Sequence, residues 1–186
     1  MREDGLTIRL LDGDAARAAM DGLCAVLVDC VDGGASVGFV FPFGMAEAAD
    51  YWAGVLPAVD NGGTLLFAAE RDGEVLGTVQ VGVQQFPNQP HRGDLKKLLV
   101  HRKARGQGLA SRLMAAAEGE AVRRGKGLLV LDTATGSPAE AVYRKLGWVA
   151  AGVVPDYALY PDGSCCGTTF YYKRIGGWPG GGSSRK

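Results

Sequence analysis

Leu98-Leu99-Val100-His101-Arg102-Lys103-Ala104-Arg105-Gly106-Gln107-Gly108-Leu109-Ala110 runs from an apolar strand through a basic, glycine-bearing turn into a helix. Gly106 and Gly108 carry no Cβ, so the chain can turn sharply there and bring its N–H groups close to an anion. The new helix adds the positive end of its dipole. Arg102, Lys103 and Arg105 supply fixed positive charge. The stretch reads as a phosphate cradle. It is not one of the nucleotide loops: no Walker lysine follows the last glycine, and Gly106-Gln107-Gly108-Leu109-Ala110-Ser111 breaks the dinucleotide fingerprint at its final position. A plain strand-to-helix turn uses the same glycines, so the surrounding elements must decide.

Outward from that turn, residues 94–100 form a strand and residues 108–124 an amphipathic helix. Upstream, residues 65–71 and 74–83 are apolar, β-branched runs separated by Asp72-Gly73, a strong hairpin signal. Residues 7–11 read as a strand and residues 14–29 as an alanine-rich helix. The run Gly33-Gly34-Ala35-Ser36-Val37-Gly38-Phe39 is too glycine-rich for a helix, and Pro42 keeps the chain irregular until a second helix over residues 45–59. Downstream come a strand at 128–132, a helix from Pro138 ending at Gly147, and strands at 148–154 and 168–173. The order is strand, two helices, three strands, helix, strand, helix, two strands, with no internal repeat. Residues 1–175 make the domain. Residues 176–186, with Gly176-Gly177-Trp178-Pro179-Gly180-Gly181-Gly182-Ser183-Ser184, have the composition of a flexible linker and are set outside it.

The 186 residues, 47% apolar and 22% charged, fit one globular domain. No apolar run is long enough to cross a bilayer, and Met1-Arg2-Glu3-Asp4-Gly5 does not open a signal-peptide core, so a cytoplasmic location is expected. Cys24, Cys30, Cys165 and Cys166 match no zinc spacing and read as free thiols; no metal is implied. The net charge of zero hides an asymmetry: residues 1–65 hold ten acidic against three basic residues, and residues 91–126 hold ten basic against three acidic. A polyanion can dock on the basic stretch, or the two are merely differently solvated faces. Nucleic acid fits less well, because the total is neutral and no aromatics interleave the basic residues.

Arg105, Gly108 and Ala110 match the Arg/Gln-x-x-Gly-x-Gly/Ala motif of the GNAT superfamily of acetyltransferases, which the chain resembles over nearly its whole length. The resemblance implies an α/β (α+β) fold: a mixed, mostly antiparallel central sheet flanked by helices, with a splayed pair of parallel strands binding CoA. Residues 105–110 (Arg105, Gly106, Gln107, Gly108, Leu109, Ala110) would hold the pyrophosphate. Leu99 and Val100 would pair with pantetheine in the gap, and a backbone N–H on that strand would polarise the thioester carbonyl. Ala139-Glu140-Ala141-Val142-Tyr143-Arg144-Lys145-Leu146-Gly147-Trp148 matches a second signature of the family. There Tyr143, which on periodicity alone reads as a packed helix residue, would protonate the departing thiolate.

An amine protonated at neutral pH must lose a proton before it attacks. Asp94 opens one strand of the expected pair and Asp132 closes the other, so both can face the acceptor; each also reads as an ordinary strand-end carboxylate. His91 and His101 are weaker candidates. Within the superfamily the chain is similar to the tabtoxin-resistance acetyltransferases, through Gly33 to Phe39, residues 128–133, Gly136-Ser137, Ala139-Glu140-Ala141, Pro155, Tyr157 and Pro161-Asp162-Gly163. That group places acidic residues at the positions of Asp94 and Asp132 to activate the amine through water, although it carries a longer glutamate where Asp94 stands.

These readings combine into a direct attack of a neutral amine on acetyl-CoA, the cosubstrate, with Asp94 and Asp132 handling the amine proton, Tyr143 acting as acid, and no metal. Gly34, Ser36, Phe39, Trp52 and Tyr157 are candidates for the acceptor wall. The expected substrate is a small primary amine, an amino-acid-like antibiotic or toxin; the acidic first third favours a cationic one. A homodimer is an expectation, with neither nucleic acid nor membrane as partner. The rivals are a protein N-terminal or lysine acetyltransferase, which needs an open groove where this chain has a bulky loop, and a regulatory CoA-binding module without catalysis.

Overall fold

The computed structural model describes residues 5–83 and 86–176. The linker-like residues 177–186 and the N-terminal residues 1–4 lie outside the described residues. Seven strands, β1 (Leu6–Leu11), β2 (Thr64–Arg71), β3 (Glu74–Gly82), β4 (Arg92–Val100), β5 (Leu128–Ala134), β6 (Val149–Leu159) and β7 (Cys165–Arg174), form one sheet in the order β1-β2-β3-β4-β5-β7-β6. Every junction is antiparallel except β4–β5, which is parallel. Helices α1 (Gly13–Ala18), α2 (Met20–Asp32) and α3 (Met45–Asp60) cover one face, and α4 (Leu109–Arg123) and α5 (Pro138–Lys145) the other. This is the mixed, mostly antiparallel α/β architecture that the sequence implied.

Local chemistry accounts for most boundaries. Asp12 caps α1 by accepting the Ala15 N–H at 2.8 Å. The β2–β3 hairpin turns through Asp72 (φ 51°) and Gly73 (φ 81°), the paired positive φ values of a type I′ turn. Two boundaries differ from the sequence reading. The single helix expected over 14–29 is two helices, because Ala19, at φ −91° and ψ 4°, leaves helical geometry. The turn there lets Arg17 of α1 reach Asp60 at the end of α3 (2.5 Å) while α2 lays Leu23, Val26, Leu27, Cys30 and Val31 against the sheet. Strand β6 continues past Pro155, which reads as a terminator, because β6 is an edge strand that pairs only with β7 and needs no N–H there. Asp156, at φ 51°, absorbs the irregularity between Val154 and Ala158.

The strand side chains divide between two cores. Leu65, Phe67, Val79, Val81, Leu95, Leu129, Leu131 and Tyr171 meet Leu109, Leu113, Met114, Ala117 and Ala121 of α4. On the other face Leu66, Ala68, Val75 and Leu99 pack under α1 to α3 and the buried Trp52. Among the described residues no helix is long and apolar enough to cross a membrane.

Candidate functional site

Strands β4 and β5 pair at three positions, Arg92 with Leu128, Gly93 with Leu129 and Asp94 with Val130, and then part. Gly93 permits that contact: a Cβ there would stand 2.8 Å from Leu129 Cδ2. Beyond it β4 pairs with β3 and β5 with β7, so the facing edges of residues 95–100 and 131–134 are left unpaired by strand and form a V-shaped gap. His101 donates its N–H to Leu76 O on the β3 side. Strand amides alternate, so the Val100 carbonyl points the other way, toward the gap, where Arg105 Nε reaches it at 3.2 Å. Leu99 stands opposite Thr78 of β3 and buries its side chain under α2 and α3.

At the open end of the gap, a 3₁₀ turn (Arg102–Ala104) leads through Gly106 (φ 76°) and Gly108 (φ 79°) into α4. Gly108 is the N-cap and has no side chain to satisfy the first N–H groups of α4, which stay available to an anion. A Cβ at Gly106 or Gly108 would meet no protein atom within 4 Å, so the positive φ and the open space beside them are what ask for glycine. The three cations of the turn differ. Arg102 binds Asp29 (Nε–Oδ1 2.9 Å) and Lys103 pairs with Glu74, whereas Arg105 has no carboxylate partner among the described residues. Gln107 is occupied, its Oε1 accepting from Arg71 and its Nε2 donating to Lys103 O. Leu109 is buried in the α4 core and Ala110 is half-buried. Uncapped amides, a guanidinium with no carboxylate partner among the described residues and open space fit a pyrophosphate.

The ionisable candidates lie on opposite sides of the sheet. Tyr143 of α5 is 5% exposed, with its ring centroid 5.8 Å from that of Tyr171 and 6.1 Å from that of Trp148. Its hydroxyl has no hydrogen-bond partner among the described residues. Burial, and after it the Asp132 carboxylate, push the phenol well above its ordinary pKa, so it stays protonated. Asp94 and Asp132 fall on the α1–α3 face by alternation from Leu95 and Leu131, which point into the α4 core. Asp132 opens onto the gap. The protein around it raises its pKa, chiefly through desolvation and further through Asp94, while Lys97 opposes the rise. Arg92 Nη2 lies 3.3 Å from Asp94 Oδ2. His101 caps the 3₁₀ turn with its Nδ1 3.4 Å from Asp29 Oδ2, and the His91 carbonyl accepts the Gly127 N–H below the paired end of the strands.

The loop between α2 and α3 crosses this face. Ser36 Oγ donates to Leu159 O at 2.7 Å, and the Phe41 N–H bonds Pro161 O, tying the loop to the β6–β7 hairpin. Phe39 stacks on Phe43 (4.4 Å) and meets the edge of Tyr51 (5.3 Å). Gly34 supplies a positive φ where α2 ends. Trp52, 1% exposed, sits in the core behind Tyr51, and Tyr157 is exposed on β6 with its ring against Phe170. Thus Phe39 and Tyr51 gather around Lys97 Nζ, Ser36 anchors the loop, Trp52 is in the core and Tyr157 is on the exposed edge strand.

Lys97 is the site residue that sequence reasoning did not single out. Alternation from Leu95 turns it into the α4 core, where an ammonium is out of place. Instead Lys97 takes φ 53° and β4 bulges opposite the stretch between Thr78 and Gln80, so Lys96 and Lys97 both leave the core side while Leu98 packs on it. Lys97 Nζ then donates to Val37 O at 2.5 Å and lies 5.2 Å from the centroids of both Phe39 and Tyr51. The available signal was two consecutive lysines between Leu95 and Leu98, a break in strand alternation.

The four cysteines are free, with Cys24, Cys30 and Cys166 buried. Among the described residues no group of three or more metal-ligating side chains converges. A model of the acetyltransferase (GNAT) family matches residues 31–148. An uncharacterized N-acetyltransferase in the hisH-hisA intergenic region of Azospirillum brasilense is 35% identical over 112 residues, 59% of this chain; the match spans 65% of that relative's length. The crystal structure of an N-acetyltransferase from Staphylococcus aureus Mu50 superposes with a TM-score of 0.75 at 20% identity, over 92% of this chain and 99% of that one. The structure of yncA from Salmonella typhimurium with its cofactor acetyl-CoA superposes with a TM-score of 0.74 at 18% identity, over 92% and 95%.

Proposed function

The chain belongs to the GNAT acetyltransferase family, and we propose that within it the protein moves the acetyl group of acetyl-CoA to the primary amine of a small, amino-acid-like antibiotic or toxin. A tabtoxin-type resistance or self-resistance reaction in the cytoplasm suits this chemistry. The observation that carries the reading is the opposition of Tyr143 and the Asp94–Asp132 pair on the two sides of a gap that passes through the sheet.

Acetyl-CoA supplies the acyl group and a thiolate leaving group. Arg105, with the first N–H groups of α4, holds the pyrophosphate; Leu99 and Val100 belong to the strand edge along which pantetheine runs. Asp132, assisted by Asp94 and through water, takes the proton from the incoming ammonium, and its raised pKa moves its basicity toward that of the amine. The freed nitrogen lone pair forms the new N–C bond as the C–S bond breaks, and the surplus proton of the new amide nitrogen passes through water to refill the Tyr143 phenolate. Tyr143 gives its phenolic proton to the departing sulfur, and its raised pKa keeps that proton in place until then. Phe39 and Tyr51 wall the acceptor. The α2–α3 loop, held at Leu159 and Pro161, closes the face that a protein acetyltransferase would leave open for a peptide. The exposed Val149, Val153 and Leu159 on edge strand β6 support a homodimer formed through that edge.

The experiment is thiol release from acetyl-CoA over a panel of amines that includes β-lactam amino acids of the tabtoxinine type, other aminated antibiotics and polyamines. Turnover with a β-lactam amino acid, reduced about 10²-fold by Tyr143→Phe, is the expected result. Acetyl-CoA binding with no turnover on any of these amines would turn the reading toward a peptide acceptor or a CoA-sensing module.

A further inference from the structure

The acid-rich first third of the chain argues for a cationic acceptor, but the same face carries a half-buried cation of its own, Lys97. Lys97 Nζ spends one N–H on Val37 O and faces the rings of Phe39 and Tyr51. No carboxylate among the described residues forms an ion pair with it, which leaves two N–H groups without a protein acceptor. The groups around it are Lys96 on β4, Asp132 on β5, Phe39 on the loop, and Tyr51 on α3, whose hydroxyl accepts from Gln80 of β3; Asp94 acts on Asp132 and is itself paired with Arg92. A lysine that merely braced Val37 would sacrifice hydration for one carbonyl bond, a poor exchange for a charge. Placed at a backbone bulge that takes it out of the core, it instead sets a cation within electrostatic reach of the Asp132 carboxylate.

We propose that Lys97 is a specificity-determining residue whose two remaining Nζ–H groups receive a carboxylate of the acceptor, so that the site selects zwitterionic amines over the same amines without the carboxylate. The acceptor's ammonium then faces Asp94 and Asp132, a placement that rests on the acetyl-transfer reading above. Burial, and after it Lys96, bring the Lys97 pKa down to about 8 against the pull of Asp132. An arriving carboxylate returns the stabilisation that burial removed, and binding is favoured for that reason.

The test is calorimetric titration of the CoA-loaded protein with three matched pairs: L-ornithine and putrescine, L-lysine and cadaverine, L-phenylalanine and phenethylamine. In the wild type at least one amino acid is expected to bind tenfold or more tightly than its decarboxylated partner. That ratio should fall below threefold in Lys97→Met and persist in Lys97→Arg, with acetyl-CoA affinity unchanged in both. Equal affinity within every pair, no binding by any of the six, or a preference that survives Lys97→Met overturns the proposal. So does an equal loss on both members of a pair, the signature of a brace for Val37. Failure of the wild type to bind acetyl-CoA would instead break the acetyl-transfer reading, since the pairwise preference is read without turnover.

Discussion

On the α4 side of the gap, the groups that would hold a pyrophosphate come from one run of the chain, residues 102–110, where a turn, two positive-φ glycines and a helix start succeed one another. On the opposite side Lys97 and Asp94 of β4, Asp132 of β5, Tyr51 of α3 and the Val37–Phe39 loop come from four separate elements. The first surface is made by backbone geometry that neighbours in sequence impose on each other. The second exists only after the sheet, the two helices and the loop have packed. Cofactor affinity and acceptor handling should therefore respond to different substitutions, and four measurements press on that division.

The largest effect is expected from Asp132→Asn. Removing a general base costs about 10²–10³-fold in kcat, while acetyl-CoA binding stays within about twofold. Steady-state kinetics beside a direct binding assay reads both, and a parallel loss of acetyl-CoA affinity would erase the division.

Next comes the charge state of Lys97. Its folded pKa is lowered, so between about 8 and the unfolded value of 10.5 the unfolded chain binds more protons and stability rises with pH. Relative to Lys97→Met, the wild type should gain on the order of 2–3 kcal/mol between pH 7 and 10.5. Urea unfolding of both proteins across that range checks the sign; a flat difference means that Lys97 is not held in a desolvated site.

Gly108→Val ranks third. It forces a β-branched residue to φ 79°, which costs about 1–2 kcal/mol, and puts a side chain into the anion space. About 10- to 30-fold weaker acetyl-CoA binding with an unchanged acceptor KM is the expected pattern. The smallest effect belongs to Ser36→Ala, which removes the 2.7 Å bond to Leu159 O, worth about 1 kcal/mol. A rise of about fivefold in acceptor KM, with acetyl-CoA KM unmoved, would mark the division from the acceptor side.

The same contrast governs which features could be read from residues alone. The element order came through because each strand and helix carries its own period and punctuation: Asp72-Gly73 for the hairpin, Gly108 before α4, Pro138 opening α5. The break at Ala19 did not, since no glycine or proline marks it and its cause is the fit of α1 against Asp60. Continuation of β6 past Pro155 did not either, because only a place at the sheet edge makes a missing N–H harmless. Asp94, Asp132 and Tyr143 could be nominated from strand ends and a helix signature, whereas Lys97 is visible only as a fault in alternation between Leu95 and Leu98.

The order of residues was enough to specify the local objects: a basic glycine turn that presents N–H groups to an anion, strands in a given succession, and a helix bearing Tyr143. Their causes, φ freedom, periodicity and helix-end chemistry, act over a few residues. Packing was needed to establish that β4 and β5 part after three pairs, that Phe39 and Tyr51 gather around Lys97 while Trp52 stays in the core, and that a bulge carries Lys97 out of the α4 core. Such arrangements depend on which distant surfaces fill one another's space, and that is a property of the packed whole.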